Sequence, residues 1–101
     1  LQGAADCRRA IDAALARPDL DPARVGIVGI SLGALVSSLT TAVDPRITRA
    51  AFLLGGIDFA RIVWTSSLVT AQRDEMRRSG LTEARLRERL ADVEPENYLR
   101  P

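Results

Sequence analysis

The spacing of hydrophobic positions switches repeatedly along the first half of the chain. "AADCRRAIDAALARPDL" puts Ala4, Cys7, Ile11, Ala14 and Leu15 on one stripe at helical spacing, with Arg8, Arg9 and Asp12 on the other side, and Pro18 stops the helix. "DLDPAR" is turn material. "VGIVG", starting at Val25, is a continuous apolar run with β-branched residues, which predicts a strand buried on both faces as in parallel sheets. Helical spacing returns from Leu32 to about Ala42, with Leu32, Leu35, Val36 and Leu39 on one face, until "VDPR" breaks it. "RAAFLLGG" reads as a second buried strand. The order helix, strand, helix, strand predicts an α/β fold, part of a doubly wound parallel sheet with right-handed crossovers.

After Gly56 the pattern changes. "IDFARIVWTSSLVTAQRDEMRR" and "LTEARLRERLADV" are charged amphipathic segments with no strand between them, and both read as helices. Thr82 is the expected N-cap of the second, whose apolar face is Leu86, Leu90 and Val93. Its arginines interleave with Glu83, Glu88 and Asp92, the pattern of a solvated helix face rather than an anion site. The chain has no internal repeat and no low-complexity linker.

Composition narrows the chemistry. At 101 residues and 47% hydrophobic content the chain is one small domain or a piece of a larger one. A formal net charge of +1 leaves no basic excess for nucleic acid or an anionic membrane surface. Every basic residue is arginine, so lysine nucleophiles, Schiff bases and a P-loop lysine are absent. Cys7 is the only cysteine, which excludes an internal disulfide and fits a reducing, cytoplasmic setting. Its place on the apolar stripe predicts a buried structural thiol. No apolar run is long enough to span a membrane, and the first residues lack the order of a signal peptide. The missing initial methionine and the end at Pro101 suggest a segment cut from a longer protein.

The candidate chemistry lies at Gly29-Ile30-Ser31-Leu32-Gly33, a G-x-S-x-G pattern between a strand and a helix. Such a nucleophile elbow is so tight that the serine backbone is strained, and side chains two positions either side would collide. It raises the Ser31 hydroxyl at the helix start and aims the Leu32 N–H, with the helix dipole, at a developing oxyanion. Two other readings compete. In one, serine and glycine at a strand-to-helix corner simply make a tight turn, with Ser31 capping the following helix. In the other, Gly29-x-Ser31-x-x-Ala34 is a degenerate dinucleotide fingerprint, but a serine there obstructs the pyrophosphate, and Asp44 and Asp58 are poorly placed for the ribose.

"AIDAALARPDLDPARVGIVGISLGA" and "DPRITRAAFLLGG" resemble the α/β-hydrolases, particularly the bacterial esterase, dienelactone-hydrolase and prolyl-oligopeptidase-like branches, over roughly residues 4–57. The resemblance implies a serine esterase or related hydrolase acting on a small ester, lactone or amide substrate without metal or organic cofactor. Ser31 would be its nucleophile, Leu32 would supply one oxyanion N–H, and Gly29 and Gly33 would be the elbow glycines. Residues 1–57 would then be the core of a partial hydrolase domain and 58–94 a lid-like helical insertion. "VEPENYLRP" looks like the lead-in to the next strand.

The chain departs from that family's pattern in having no histidine. The usual triad order is serine, acid, histidine, so base and acid are expected outside this stretch, as is a second oxyanion donor, and the stretch alone is expected to be inactive. Asp58 is a candidate substitute acid, against the plainer reading of a helix N-cap. Asp92, Glu94 and Glu96 are expected to decorate a helix end, and their spacing does not suit a metal. Phe59, Trp64 and Met76 either line an acyl pocket under the insertion or pack it against the core. The alternative to an enzyme is a hydrolase-like binding protein in which the elbow is only architecture.

Overall fold

In the computed structural model, which describes residues 2–99, the predicted alternation is present: α1 (Gln2–Leu15), β1 (Val25–Ile30), α2 (Leu32–Val43) and β2 (Ile47–Leu53). The fold is mixed α/β, with β1 and β2 paired in parallel in a single sheet. The pairing runs from Val25 opposite Ile47 to Ile30 opposite Leu53 and slips by one residue after Val25. Thr48 fills the slip and donates its hydroxyl to the Val25 carbonyl at 3.0 Å. Strand β2 thus starts before the apolar run that announces it, at Ile47.

The α1 stripe is as expected: Ala4 is buried, and Cys7, Ile11, Ala14 and Leu15 are half-buried. Cys7 is therefore less enclosed than its apolar setting suggests. Helix α1 lies against α2, with Gly3 next to Val36.

Helix α2 buries Leu39 and half-buries Leu35 and Val36 of its apolar face, together with polar positions that hydropathy does not mark. It buries Ala34, Ser37, Ser38, Leu39 and Thr40, while Leu32 stays 73% exposed. The hydroxyls are tolerated because each satisfies itself within the helix. Ser37 and Ser38 donate to the Ala34 and Leu35 carbonyls at 3.2 and 2.9 Å, and Thr40 donates to the Val36 carbonyl at 2.7 Å. Small side chains let the helix lie close to the strands; leucines there would hold it off.

The strands are not buried on both faces. Helix α2 covers the side bearing Val25, Ile27 and Gly29, but on the other side Val28 is 69% and Ile30 59% exposed. Nothing among the described residues covers this second face. The chain is also elongated, 54 × 23 × 22 Å, and its radius of gyration of 15.6 Å exceeds the roughly 13 Å of a compact chain of this length.

Beyond Gly56 the first long segment divides into α3 (Phe59–Thr65), a 3-10 turn at Ser67–Val69 and α4 (Thr70–Arg78). The break falls at Ser66, whose backbone is extended and whose hydroxyl accepts from the Leu68 N–H at 3.2 Å. Helix α5 (Glu83–Leu90) follows. Thr82 caps it as predicted, accepting from the Arg85 N–H at 3.2 Å, and Leu86 is buried. Helices α3 and α5 pack together, and a 3-10 turn at Pro95–Asn97 returns to α2. No described helix is long and apolar enough to cross a membrane.

Candidate functional site

Strand β1 ends at Ile30 and α2 begins at Leu32, leaving Ser31 alone at the junction. Its backbone has φ 53° and ψ −118°, the first central position of a type II′ turn, which normally takes glycine. Holding another residue there costs about 1–3 kcal/mol. Hydrogen bonds fix it on both sides: the Ser31 N–H donates to the Leu53 carbonyl at 2.9 Å, and the Ser31 carbonyl accepts from the Ala34 and Leu35 N–H groups at 2.9 and 3.3 Å.

The Ser31 side chain is exposed and makes no cap hydrogen bond to α2. The side-chain cap expected in the purely structural reading is thereby absent, while the tight turn of that reading is present. A capping residue needs an extended backbone to turn its oxygen onto the first turn, and the positive φ turns this one away. Among the described residues the N–H groups of Leu32 and Gly33 have no acceptor. A free hydroxyl and free N–H groups thus sit together at the positive end of a helix dipole.

The elbow glycines are unequal. A Cβ on Gly29 would come within 3.0 Å of the Ser37 hydroxyl and the Gly33 carbonyl, so only glycine fits beneath the first turn of α2. A Cβ on Gly33 would meet nothing within 4 Å, so the collision expected there is absent among the described residues. The second close approach is instead at Gly55, whose Cβ would collide with that of the fully buried Ala34. Sequence reasoning missed Gly55; the paired glycines after an apolar strand were the available signal.

A cavity of about 240 Å³ opens beside Ser31. Leu32 and Leu35 of α2 form one wall and Leu54 and Gly55 a second. The segment after Gly56 supplies the third, through Ile62, Val63, Leu68 and Val69. These, not Phe59, Trp64 and Met76, are the lining residues. Trp64 is stacked under the Arg77 guanidinium, 5.3 Å from the ring centroid, and Arg73 donates to the Trp64 and Ser66 carbonyls at 3.1 and 2.8 Å. A larger cavity, about 540 Å³, lies between α1 and the start of β1 and does not touch Ser31.

The carboxylates are committed elsewhere. Asp58 caps α3, accepting from the Arg61 N–H at 3.0 Å and from Arg87 Nη2 at 2.9 Å. The Arg87 hydrogen bond holds its carboxyl below the usual carboxylate range. Glu94, expected as surface decoration, is buried and reaches back across the insertion. Its two oxygens accept from the Phe59 and Ala60 N–H groups, each at 2.8 Å. Asp92 and Glu96 are exposed. Asp44, placed by sequence only as an ill-suited ribose ligand, is 1% exposed and gripped by Arg46 through Nε at 2.9 Å and Nη2 at 2.6 Å. Among the described residues no group of three His, Cys, Asp or Glu side chains is placed to hold a metal ion.

Comparison with family models, with curated proteins and with solved structures finds no match to this chain.

Proposed function

We propose that this chain is the central part of an α/β-hydrolase domain and that Ser31 is the nucleophile of a serine hydrolase acting on an ester, lactone or amide carbonyl. The observation that carries this is the Ser31 backbone, held at φ 53° between a strand and a helix with its hydroxyl unengaged. Glycine would adopt this conformation without strain, so the serine carries a conformational cost for an unengaged hydroxyl that faces open space beside the Leu32 N–H. In the reaction a base takes the Ser31 proton as Oγ attacks the carbonyl carbon, and the tetrahedral oxyanion is held by the Leu32 N–H. Collapse expels the alcohol or amine, which takes up that proton, and water then releases the acyl group from Ser31. The chain has no histidine, so base, acid and a second oxyanion donor come from residues outside these 101. The bare face of the sheet at Val28 and Ile30 supports further structure packing there.

The test is labelling of the full protein with a fluorophosphonate. Labelling at Ser31, and loss of turnover by about a million-fold in Ser31→Ala, is the expected result. The absence of histidine favours a second reading, a hydrolase-like binding protein in which the elbow is only structural. Folded protein that never labels would overturn the nucleophile and leave that second reading.

A further inference from the structure

We propose that the cavity beside Ser31 is an acyl pocket for neutral aliphatic chains of medium length, with Leu54 and Leu68 setting the selection; this rests on Ser31 being the nucleophile. Among the described residues, no ionisable side chain lines the cavity. Its two side-chain polar groups are the hydroxyls of Ser31 and Ser66, and the second is already engaged by the Leu68 N–H. A charged chain entering it would lose its hydration and find no partner. Size limits the chain as well. The volume of about 240 Å³ holds about eight water-sized groups at roughly 30 Å³ each, and a methylene is of similar size. An acetyl group would leave most of it empty.

Leu54 and Leu68 form its rim. Each is 86% exposed, so two large apolar side chains stand in water beside a reactive hydroxyl. Leu54 is held there by a left-handed backbone, φ 55°, which bulky residues rarely adopt. Ser31 and Leu54 are the two non-glycine residues with positive φ among those described, and they line the same cavity from the ends of neighbouring strands. An aliphatic chain lying between them would cover both rim residues.

The full protein would be labelled with fluorophosphonates carrying linear alkyl chains of about two to twelve carbons. The rate at Ser31 is expected to rise by about fourfold per methylene and to level off near eight carbons. Leu68→Glu should lower the octyl-to-ethyl rate ratio by roughly a hundredfold, and Leu54→Gly should move the optimum to longer chains. The ratio normalises for folded fraction, and Leu68→Ala, expected to lower it in the same direction, provides a milder second variant. Octanamide binding to Ser31→Ala, followed by calorimetry, needs no nucleophile. Labelling without chain-length preference overturns the pocket while leaving the nucleophile standing. Octanamide binding that is lost in Leu68→Glu, in a protein that never labels, keeps the pocket and removes the nucleophile. Neither labelling nor binding overturns both.

Discussion

Helix α2 ends in two opposite ways. At its start the Ser31 backbone is strained, the Leu32 and Gly33 N–H groups lack acceptors among the described residues, and exposed leucines surround them. At its finish Asp44 is buried and satisfied: the Arg46 side chain holds both its oxygens, the Arg46 N–H donates at 3.1 Å, and Arg8 of α1 reaches it at 3.4 Å. Arg46 also pairs with Asp12, so one cluster ties α1, the α2 terminus and the start of β2. A helix end whose buried carboxylate is fully paired is an anchor. The other end of the same helix is strained and unmatched, and on the proposed function it is there that a substrate would supply what is missing. The caps of α3 by Asp58 and Glu94 and of α5 by Thr82 are engaged, like the anchor.

The contrast is broken most forcefully at Gly29. Gly29→Ala puts a methyl group against the Gly33 carbonyl, which is backbone and has no rotamer to escape into. The helix start has to lift, and a loss of about 3 kcal/mol in the full protein is expected by thermal unfolding, with reactivity at Ser31 lost too. Gly33→Ala is the control. It lies in a helix with open space around the new Cβ, so stability within about 1 kcal/mol of the parent is expected.

Next in size is the anchor. The Arg46 hydrogen bonds hold the Asp44 carboxyl well below the usual carboxylate range, with Arg8 adding to the shift. A carboxyl with a depressed folded pKa contributes stability that is complete above its unfolded pKa, about 3.9, and is lost as pH falls towards the folded value. Asp44→Asn keeps the size and removes the charge. Fully buried pairs cost about 3–5 kcal/mol to break, but the Arg46 side chain is 33% exposed, so about 2 kcal/mol is expected at neutral pH. The stability curves of parent and variant should converge as pH falls below about 4, and parallel curves would show that Asp44 packs without acting as a charge.

The anchor and the site were not equally legible in the sequence. Val25 to Val43 is read correctly as strand, turn and helix because apolar spacing and a local glycine pattern specify it, and the strain at Ser31 follows from the tightness of that turn. The burial of Ser37, Ser38 and Thr40 beside Leu39 on α2, and the exposure of Leu32, are not legible because hydropathy ranks the leucines above residues whose hydroxyls are satisfied by their own helix. Glu94 reaches the start of α3 from the far end of the insertion, and the Asp44 cluster joins three elements, so neither leaves a local trace. The cavity walls at Leu54 and Leu68 depend on a left-handed residue after β2 and a helix break at Ser66. Propensity does not place either feature.

The smallest effect separates strain from chemistry at Ser31 itself. The hydroxyl makes no cap bond, so Ser31→Ala should leave stability almost unchanged, whereas removing the engaged cap in Thr82→Ala should cost about 1 kcal/mol. Ser31→Gly also lacks the hydroxyl but accepts φ 53° without strain. The strain released, about 1–3 kcal/mol, is offset in part by the extra freedom of glycine in the unfolded chain, about 0.5–1 kcal/mol. Ser31→Gly is therefore expected to be more stable than Ser31→Ala by about 1 kcal/mol, with both inactive. That ordering would mean that the turn at the open end of α2 stores strain that glycine would relieve. Ser31→Gly less stable than Ser31→Ala by about 0.5–1 kcal/mol would mean the turn stores no strain, and the two ends of α2 would then differ only in how well they are capped.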